Sequence, residues 1–332
     1  MDRVRQSTDT PTTLHLLTGF LGSGKTSLLQ RYLDATPCAD TAVVINEFGQ
    51  IGLDHRLVRA SDASVRVLEN GCLCCAVSDR LRDCLRELLA ERKRQRGTAF
   101  SRLVVETSGL ACPEPILNTI RSDYVLSEYL RVGTVATVLD AVTALDTLAR
   151  FPEAVRQVTA ADRIVVTKAD LVTPQAIRLL VGHARELNPL ASVHVANAPE
   201  HAYSRLFDPT PERRSEAPLD ARGEHKTSYR SFALAFERPL DWGRFSLWLT
   251  SLLNRHGRSV LRFKAILQLA REARPVVIHG VQHLMFPPRH LSQLPDGQRG
   301  SQLVFIVDGI DPERIVRSLG RFMNERPRAA SL

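Results

Sequence analysis

Residues 14–29 read LHLLTGFLGSGKTSLL. The apolar opening fits a buried strand, and the apolar residues after Thr26 fit the start of a helix. Between them stands Gly19-Phe20-Leu21-Gly22-Ser23-Gly24-Lys25-Thr26, a G-x-x-x-x-G-K-[ST] loop in the strand–loop–helix setting its chemistry requires. The glycines let the backbone curl so that successive N–H groups converge on one phosphate cluster. Lys25 adds charge at the β/γ-phosphates, and Thr26 offers a hydroxyl to Mg²⁺. The positive end of the following helix aims at the same phosphates. The loop predicts a nucleoside triphosphate site made of Gly19, Gly22, Ser23, Gly24, Lys25, Thr26 and Ser27.

Outward from this loop, short apolar strands are predicted at 41–45, 65–68, 102–105, 134–139, 163–166 and 193–196. Several end in polar clusters, as the ligand-binding edge of an open α/β sheet does. A long amphipathic helix is predicted from Asp79 to about Arg94, with Cys84 on its apolar face. This alternation predicts a doubly wound, mostly parallel α/β domain over 13–198, after a flexible leader over 1–12. Residues 199–227 are rich in proline and charge and read as an exposed linker. A smaller α+β domain is predicted over 228–325, with a tail over 326–332. Within it, strands fall at 229–236, 260–269, 276–281 and 303–307, and a closing helix at 312–323. A further helix at 241–254 is capped by Asp241 and turns Trp242, Phe245, Trp248, Leu249 and Leu252 inward.

The 332 residues, 44% of them hydrophobic, suffice for two packed domains. No apolar run approaches the ~20 residues of a membrane span. No apolar signal core opens the chain, so the cytoplasm is the expected compartment. The net charge of +8 comes mainly from arginine. Without an aromatic-interleaved basic motif, it reads as solvated surface rather than a nucleic-acid footprint.

Glu106-Thr107-Ser108-Gly109 follows a buried strand. There a P-loop protein places an acid near Mg²⁺ and the attacking water, and a glycine N–H that can meet the γ-phosphate. Lys25, Glu106 and Glu47 form the predicted catalytic set. In Thr167-Lys168-Ala169-Asp170, Asp170 can accept N1–H and N2–H₂ of guanine while the Lys168 stem lies on the base. Thr167 offers no amide to the base, so the pattern favours guanine while the strength of the preference for GTP over ATP stays open. Cys72-Leu73-Cys74-Cys75 sets three thiols where they can converge on one soft or borderline ion, Zn²⁺ first, with Co²⁺ or Ni²⁺ sharing these ligands. Glu47 or His55 could add a fourth ligand; a redox cluster and buried structural thiols are the alternatives. Cys38 and Cys112 read as isolated thiols. His279 and His283 lie ~13 Å apart on an extended strand, which favours a structural role.

Taken in order, GFLGSGKT, NEFG, the GCxCC loop, ETSG and TKAD resemble the CobW-type GTPases, relatives of the urease- and hydrogenase-accessory GTPases. Lys264 and the HGVQH run at 279–283 resemble the C-terminal domain of the YjiA-like bacterial branch. The resemblance implies slow GTP hydrolysis to GDP, metal binding at Cys72, Cys74 and Cys75, and delivery of that metal to a client metalloprotein. It also implies phosphate binding at 19–26, a Walker-B-like acid at Glu106 and guanine reading by Lys168 and Asp170. Thr167 departs from the usual Asn, Gln50 from the usual Glu, and Ala265 from the usual Gly. Only His201 and His225 lie in the linker.

Together these readings predict a GTP-driven metal chaperone in which residues 46–54 switch with the γ-phosphate and the C-terminal domain meets the client. A nucleotide-gated metal sensor and a small-molecule P-loop kinase are the alternatives, and homo-oligomerisation is left open.

Overall fold

The computed structural model describes residues 11–36, 40–46, 64–68, 74–94, 100–196, 203, 205–208, 228–295 and 298–330, with the side chains of 46, 64–68 and 74–78 outside that description. The chain divides into two compact units. The first comprises the described residues of Met1–Gln157, Val165–Leu171 and His194–Pro209; the second those of Val158–Ile164, Val172–Val193 and Thr210–Leu332.

The N-terminal elements run β1 (Thr12–Gly19), α1 (Lys25–Ala35), β2 (Thr41–Asn46), β3 (Ser64–Leu68), α2 (Cys74–Arg94) and β4 (Arg102–Glu106). Then come α3 (Pro113–Ser122), α4 (Tyr124–Tyr129), β5 (Leu130–Asp140), α5 (Ala144–Arg150), α6 (Pro152–Ala160) and β6 (Arg163–Thr167). A 3-10 turn (Ala169–Leu171), α7 (Pro174–Leu187) and β7 (Ser192–Val195) complete this part. The strands form one sheet in the order β3-β2-β4-β1-β5-β6-β7, as expected of a doubly wound fold. β1 lies parallel between β4 and β5, with Leu17 opposite Glu106 and Ala136. β2 pairs parallel with β4, placing Ile45 opposite Glu106. The carboxyl ends of β1, β2 and β4 therefore share one sheet edge.

Leu14, Leu16, Leu17, Ile45, Val104 and Val105 are wholly buried, as near-continuous apolar strands of a covered parallel sheet must be. Tyr203, Leu206 and Phe207 are also buried in this core, against the expectation of an exposed linker there. The Phe207 ring packs 4.9 Å from both His15 and Tyr32, and its carbonyl accepts from Thr134 Oγ1 at 3.2 Å. A few apolar side chains inside a polar stretch suffice to anchor it, and average composition does not reveal them. Arg205 and Asp208 apart, the remaining linker residues and the leader over 1–10 lie outside the described residues.

The C-terminal elements are β8 (Tyr229–Phe236), α8 (Trp242–His256), β9 (Val260–Leu267), β10 (Val276–Val281), β11 (Leu284–Met285), β12 (Arg289–His290), β13 (Ser301–Asp308), α9 (Pro312–Met323) and β14 (Arg328–Ala330). They build an antiparallel sheet in the order β11-β10-β9-β13-β8-β14, with β12 paired to β10. One sheet face packs with α8 and α9 through Phe245, Trp248, Phe263, Phe305, Ile315 and Leu319. Trp248 is buried and donates its indole N–H to Ser318 Oγ at 3.1 Å. Asp241 caps α8 as expected, accepting from Arg244 N at 2.9 Å. Trp242, expected inward, is 41% exposed: at the first helical position its ring reaches only the edge of the core, beside Phe245. The expected tail contributes β14, an edge strand beside β8. In this unit Arg262 is buried and donates to Ala160 O and Asp162 Oδ1, neutralising a guanidinium that burial alone would make costly.

Candidate nucleotide site

Gly19 leaves β1 with φ 144°, and a Cβ there would stand 2.5 Å from Val138 O. Gly24 follows with φ 90° just before α1. Both steps require glycine, so the loop's curl is written directly into its residue types. Lys25 is buried, its Nζ 3.3 Å from Phe20 O. Thr26 Oγ1 donates to Glu106 Oε1 at 2.6 Å. A hydroxyl and a buried carboxylate side by side are the hard oxygen donors that suit Mg²⁺, so these residues fit that ion.

The ETSG segment is tied to the same loop. Thr107 N donates to Leu17 O at 2.9 Å, and Thr107 Oγ1 to Thr18 Oγ1 at 2.9 Å. Gly109 lies against the phosphate loop so closely that a Cβ on it would meet Leu21 N at 2.6 Å. Gln157 on α6 donates from Nε2 to Gly109 O and Ala111 O, each at 3.0 Å.

The TKAD segment makes a third contact. Thr167 Oγ1 donates to Ser23 O at 2.7 Å, with Leu139 O at 3.2 Å. The hydroxyl thus braces the phosphate loop from β6. Lys168 adopts a left-handed backbone with φ 54°. Its Nζ donates to Gly22 O at 2.9 Å and pairs with Asp140 Oδ2 at 2.7 Å. Asp140 in turn accepts from Val142 N at 2.8 Å. Asp170 lies exposed in the 3-10 turn, and Ser27 is exposed on α1.

Gly19, Gly22, Ser23, Gly24, Lys25, Thr26, Glu106, Gly109, Thr167 and Lys168 are therefore gathered at one sheet edge. The site reading from sequence missed Asp140 and Gln157. Asp140 ends a strand on the ligand-binding edge, which was a usable signal. Gln157 sits in mid-helix and carries no motif.

Glu47, His55, Cys72 and most of the 46–54 switch segment lie outside the described residues, as does Cys38. Cys74 and Cys75 stand in the first turn of α2, which begins five residues before the expected helix start and replaces part of the expected loop. Among the described residues, no group of three or more His, Cys, Asp or Glu is placed to hold a metal ion. Cys84 is buried on α2 as expected. Burial, with Glu114 adding to it against the pull of Arg156, pushes the Cys112 thiol up to about 11. It stays protonated near neutrality, an inert thiol. His279 stacks on Phe286 at 4.7 Å, while His283 is exposed. Among the described residues no helix is long and apolar enough to cross a membrane.

A glycine-curled loop between β1 and α1, braced by an acid from β4 and a hydroxyl from β6, defines a P-loop protein of the GTPase fold. Residues 13–195 match the CobW/HypB/UreG nucleotide-binding domain, and 229–323 match the cobalamin synthesis protein cobW C-terminal domain. The chain is 34% identical to the zinc chaperone YjiA of Escherichia coli strain K12, over 82% of this chain and 87% of that protein. It is 28% identical to the zinc chaperone CobW of Pseudomonas aeruginosa, over 92% and 89% respectively. The crystal structure of Zn(II)-bound YjiA GTPase from E. coli superposes with a TM-score of 0.67 at 26% identity, covering 94% of this chain and 99% of that one. This chain belongs to the CobW/HypB/UreG family.

Proposed function

We propose that the chain is a GTP-hydrolysing metal chaperone that binds Zn(II) at Cys72, Cys74 and Cys75 and passes it to a client metalloprotein. The observation that carries the GTPase part is the 2.6 Å bond from Thr26 Oγ1 to Glu106 Oε1, which unites the phosphate loop and the acid of β4. The names of the relatives, two zinc chaperones among them, support the metal part.

In this reading Gly19–Thr26 and Ser27 take the phosphates, and Thr26 and Glu106 hold Mg²⁺. The metal would supply charge neutralisation at the β- and γ-phosphates. Lys25 places a cation at the same oxygens. Gly109 N–H meets the γ-phosphate, and Asp170 with the Lys168 stem reads the guanine. Glu47 stands by as a further acid or metal ligand. Unassisted turnover is slow. The nucleotide-binding domain takes in 13–198 with Tyr203, Leu206 and Phe207 packed into its core, the C-terminal domain runs from 228 through β14 and carries the client surface, and the protein works in the cytoplasm. Zn(II) is cargo rather than cofactor, and Co(II) or Ni(II) would share its ligands.

The direct test replaces Cys72, Cys74 and Cys75 together by Ala and measures Zn²⁺ binding by competition with a chromophoric chelator, with GTP and with GDP. Loss of submicromolar affinity with GTP is expected. Unchanged affinity would refute the cysteine assignment. Equal wild-type affinity in both nucleotide states would instead favour a metal-binding protein with incidental hydrolysis.

A further inference from the structure

We propose that Gln157 is a positioning residue: it pins the Gly109 loop against the phosphate loop and thereby sets how well the site tells a nucleoside triphosphate from a diphosphate. This rests on the reading above that Gly109 N–H meets the γ-phosphate.

Gln157 is 1% exposed. Its Nε2 sends one N–H to Gly109 O and the other to Ala111 O, both at 3.0 Å. Its own carbonyl accepts from Thr137 Oγ1 at 2.7 Å, so the residue is fastened to β5 while its side chain reaches the ETSG loop. Gly109 also lies against the backbone of Leu21, whose N is 2.6 Å from where a Cβ would stand. Gly109 is thus in contact with the phosphate loop and tied by its carbonyl to the primary amide, and a loop held by both has little room to retreat from a γ-phosphate.

The residue type fits this task closely. A buried carbonyl on Gly109 and a part-buried one on Ala111 need two donors, and a primary amide supplies both from one nitrogen. Glu at this position is isosteric but offers only acceptors when ionised. Leu has similar bulk and no donor. Asn is one methylene short. Loss of both donors leaves the buried Gly109 carbonyl unsatisfied, and the loop then recovers a bond by moving. A diphosphate has no γ-phosphate, so its binding does not depend on where Gly109 stands. A residue that only stabilised the fold would weaken both nucleotides alike.

The experiment compares wild type with Gln157→Leu and Gln157→Glu, using fluorescent GDP and a fluorescent non-hydrolysable GTP analogue in Mg²⁺ buffer. Expected are diphosphate affinity within ~3-fold of wild type and triphosphate affinity reduced by ~10-fold or more, the loss of about one well-made buried bond. Parallel losses for both nucleotides, or none for either, would overturn the inference. A wild-type chain that binds neither nucleotide would overturn the functional reading and this inference with it, and that failure shows in the wild type, before any variant is compared. Should both variants fail to fold, hydrogen exchange on the wild type decides. Peptides covering 107–112 and 152–160 are expected to gain protection together with the GTP analogue and not with GDP. Protection of 107–112 alone would overturn the proposal.

Discussion

Gly109→Ala is the sharpest single perturbation this structure offers. The new Cβ would lie 2.6 Å from Leu21 N, 2.7 Å from Leu21 Cα and 2.7 Å from Leu21 Cδ2. Comfortable heavy-atom contact begins near ~3.5 Å, so the two backbones must part by ~0.8 Å or more. The Leu21 side chain can swing away, being 53% exposed, but its N and Cα cannot move without displacing the phosphate loop. Overpacking of this kind costs about 1–3 kcal/mol of stability. That corresponds to a melting point roughly 2–12 °C lower for a unit of this size. A misplacement near 1 Å in a reacting geometry lowers turnover by ~100-fold. Gly109 carries no left-handed φ, so alanine suffers no backbone strain and the contact alone is tested. The assay is phosphate release from GTP at saturating nucleotide, beside a thermal melt. Gly182→Ala serves as the matched control: nothing lies within 4 Å of its Cβ on α7, and the change should stabilise by ~0.5–1 kcal/mol. If Gly109→Ala turned over GTP at the wild-type rate with an unchanged melting point, the close packing of these two loops would not constrain the site.

Two further outcomes follow from the C-terminal unit. Asp241→Ala removes the cap bond to Arg244 N and should lower stability by about 1 kcal/mol with no change in Zn²⁺ or nucleotide affinity, as read by urea denaturation and the binding assays above. Burial holds the His279 imidazole down at about 3 from its ordinary 6.5; Asp162 opposes this, while Arg262, Lys264 and Arg289 add to it. The unfolded chain therefore takes up this proton below about pH 6.5 while the folded chain refuses it until about pH 3, so the neutral ring's contribution is present above pH 6.5 and lost as pH falls through that window. Melting points of wild type and His279→Gln across pH 7 to 4 should converge or cross toward acid, and parallel curves would refute a buried neutral imidazole.

Much of the site was legible because its chemistry is local. Gly19, Gly22 and Gly24 announce a backbone that side chains would block, and Lys25-Thr26 follow at the spacing phosphate and Mg²⁺ impose. The cap and apolar stripe of α8, the limits of α9 and the buried runs of β2, β4 and β6 were equally readable, since each depends on residues within a few positions of itself. The reading weakened where a residue's partner lies far along the chain. Thr167 was read from its place in TKAD as offering the base no amide, and what its hydroxyl does instead, reaching back 144 positions to Ser23 O, was not legible. Gln157 finds its carbonyls 48 and 46 positions away, and Tyr203 bonds Arg31 across 172.

By itself, then, the sequence determined a phosphate-binding loop on a parallel α/β sheet, an acid and a TKAD turn on later strands, a second α+β domain and family membership. The structural elements follow from backbone geometry or from periodicity that a short segment carries alone, and the family from the resemblance of the ordered motifs. Only the tertiary structure decided that Thr26 bonds Glu106, that Lys168 pairs with Asp140, that Trp242 stays at the surface while Trp248 is buried, and that Gln157 bonds Gly109. Those are matters of which surfaces meet when the strands stack in the order β3-β2-β4-β1-β5-β6-β7 and the second sheet packs its helices, and no local pattern encodes them.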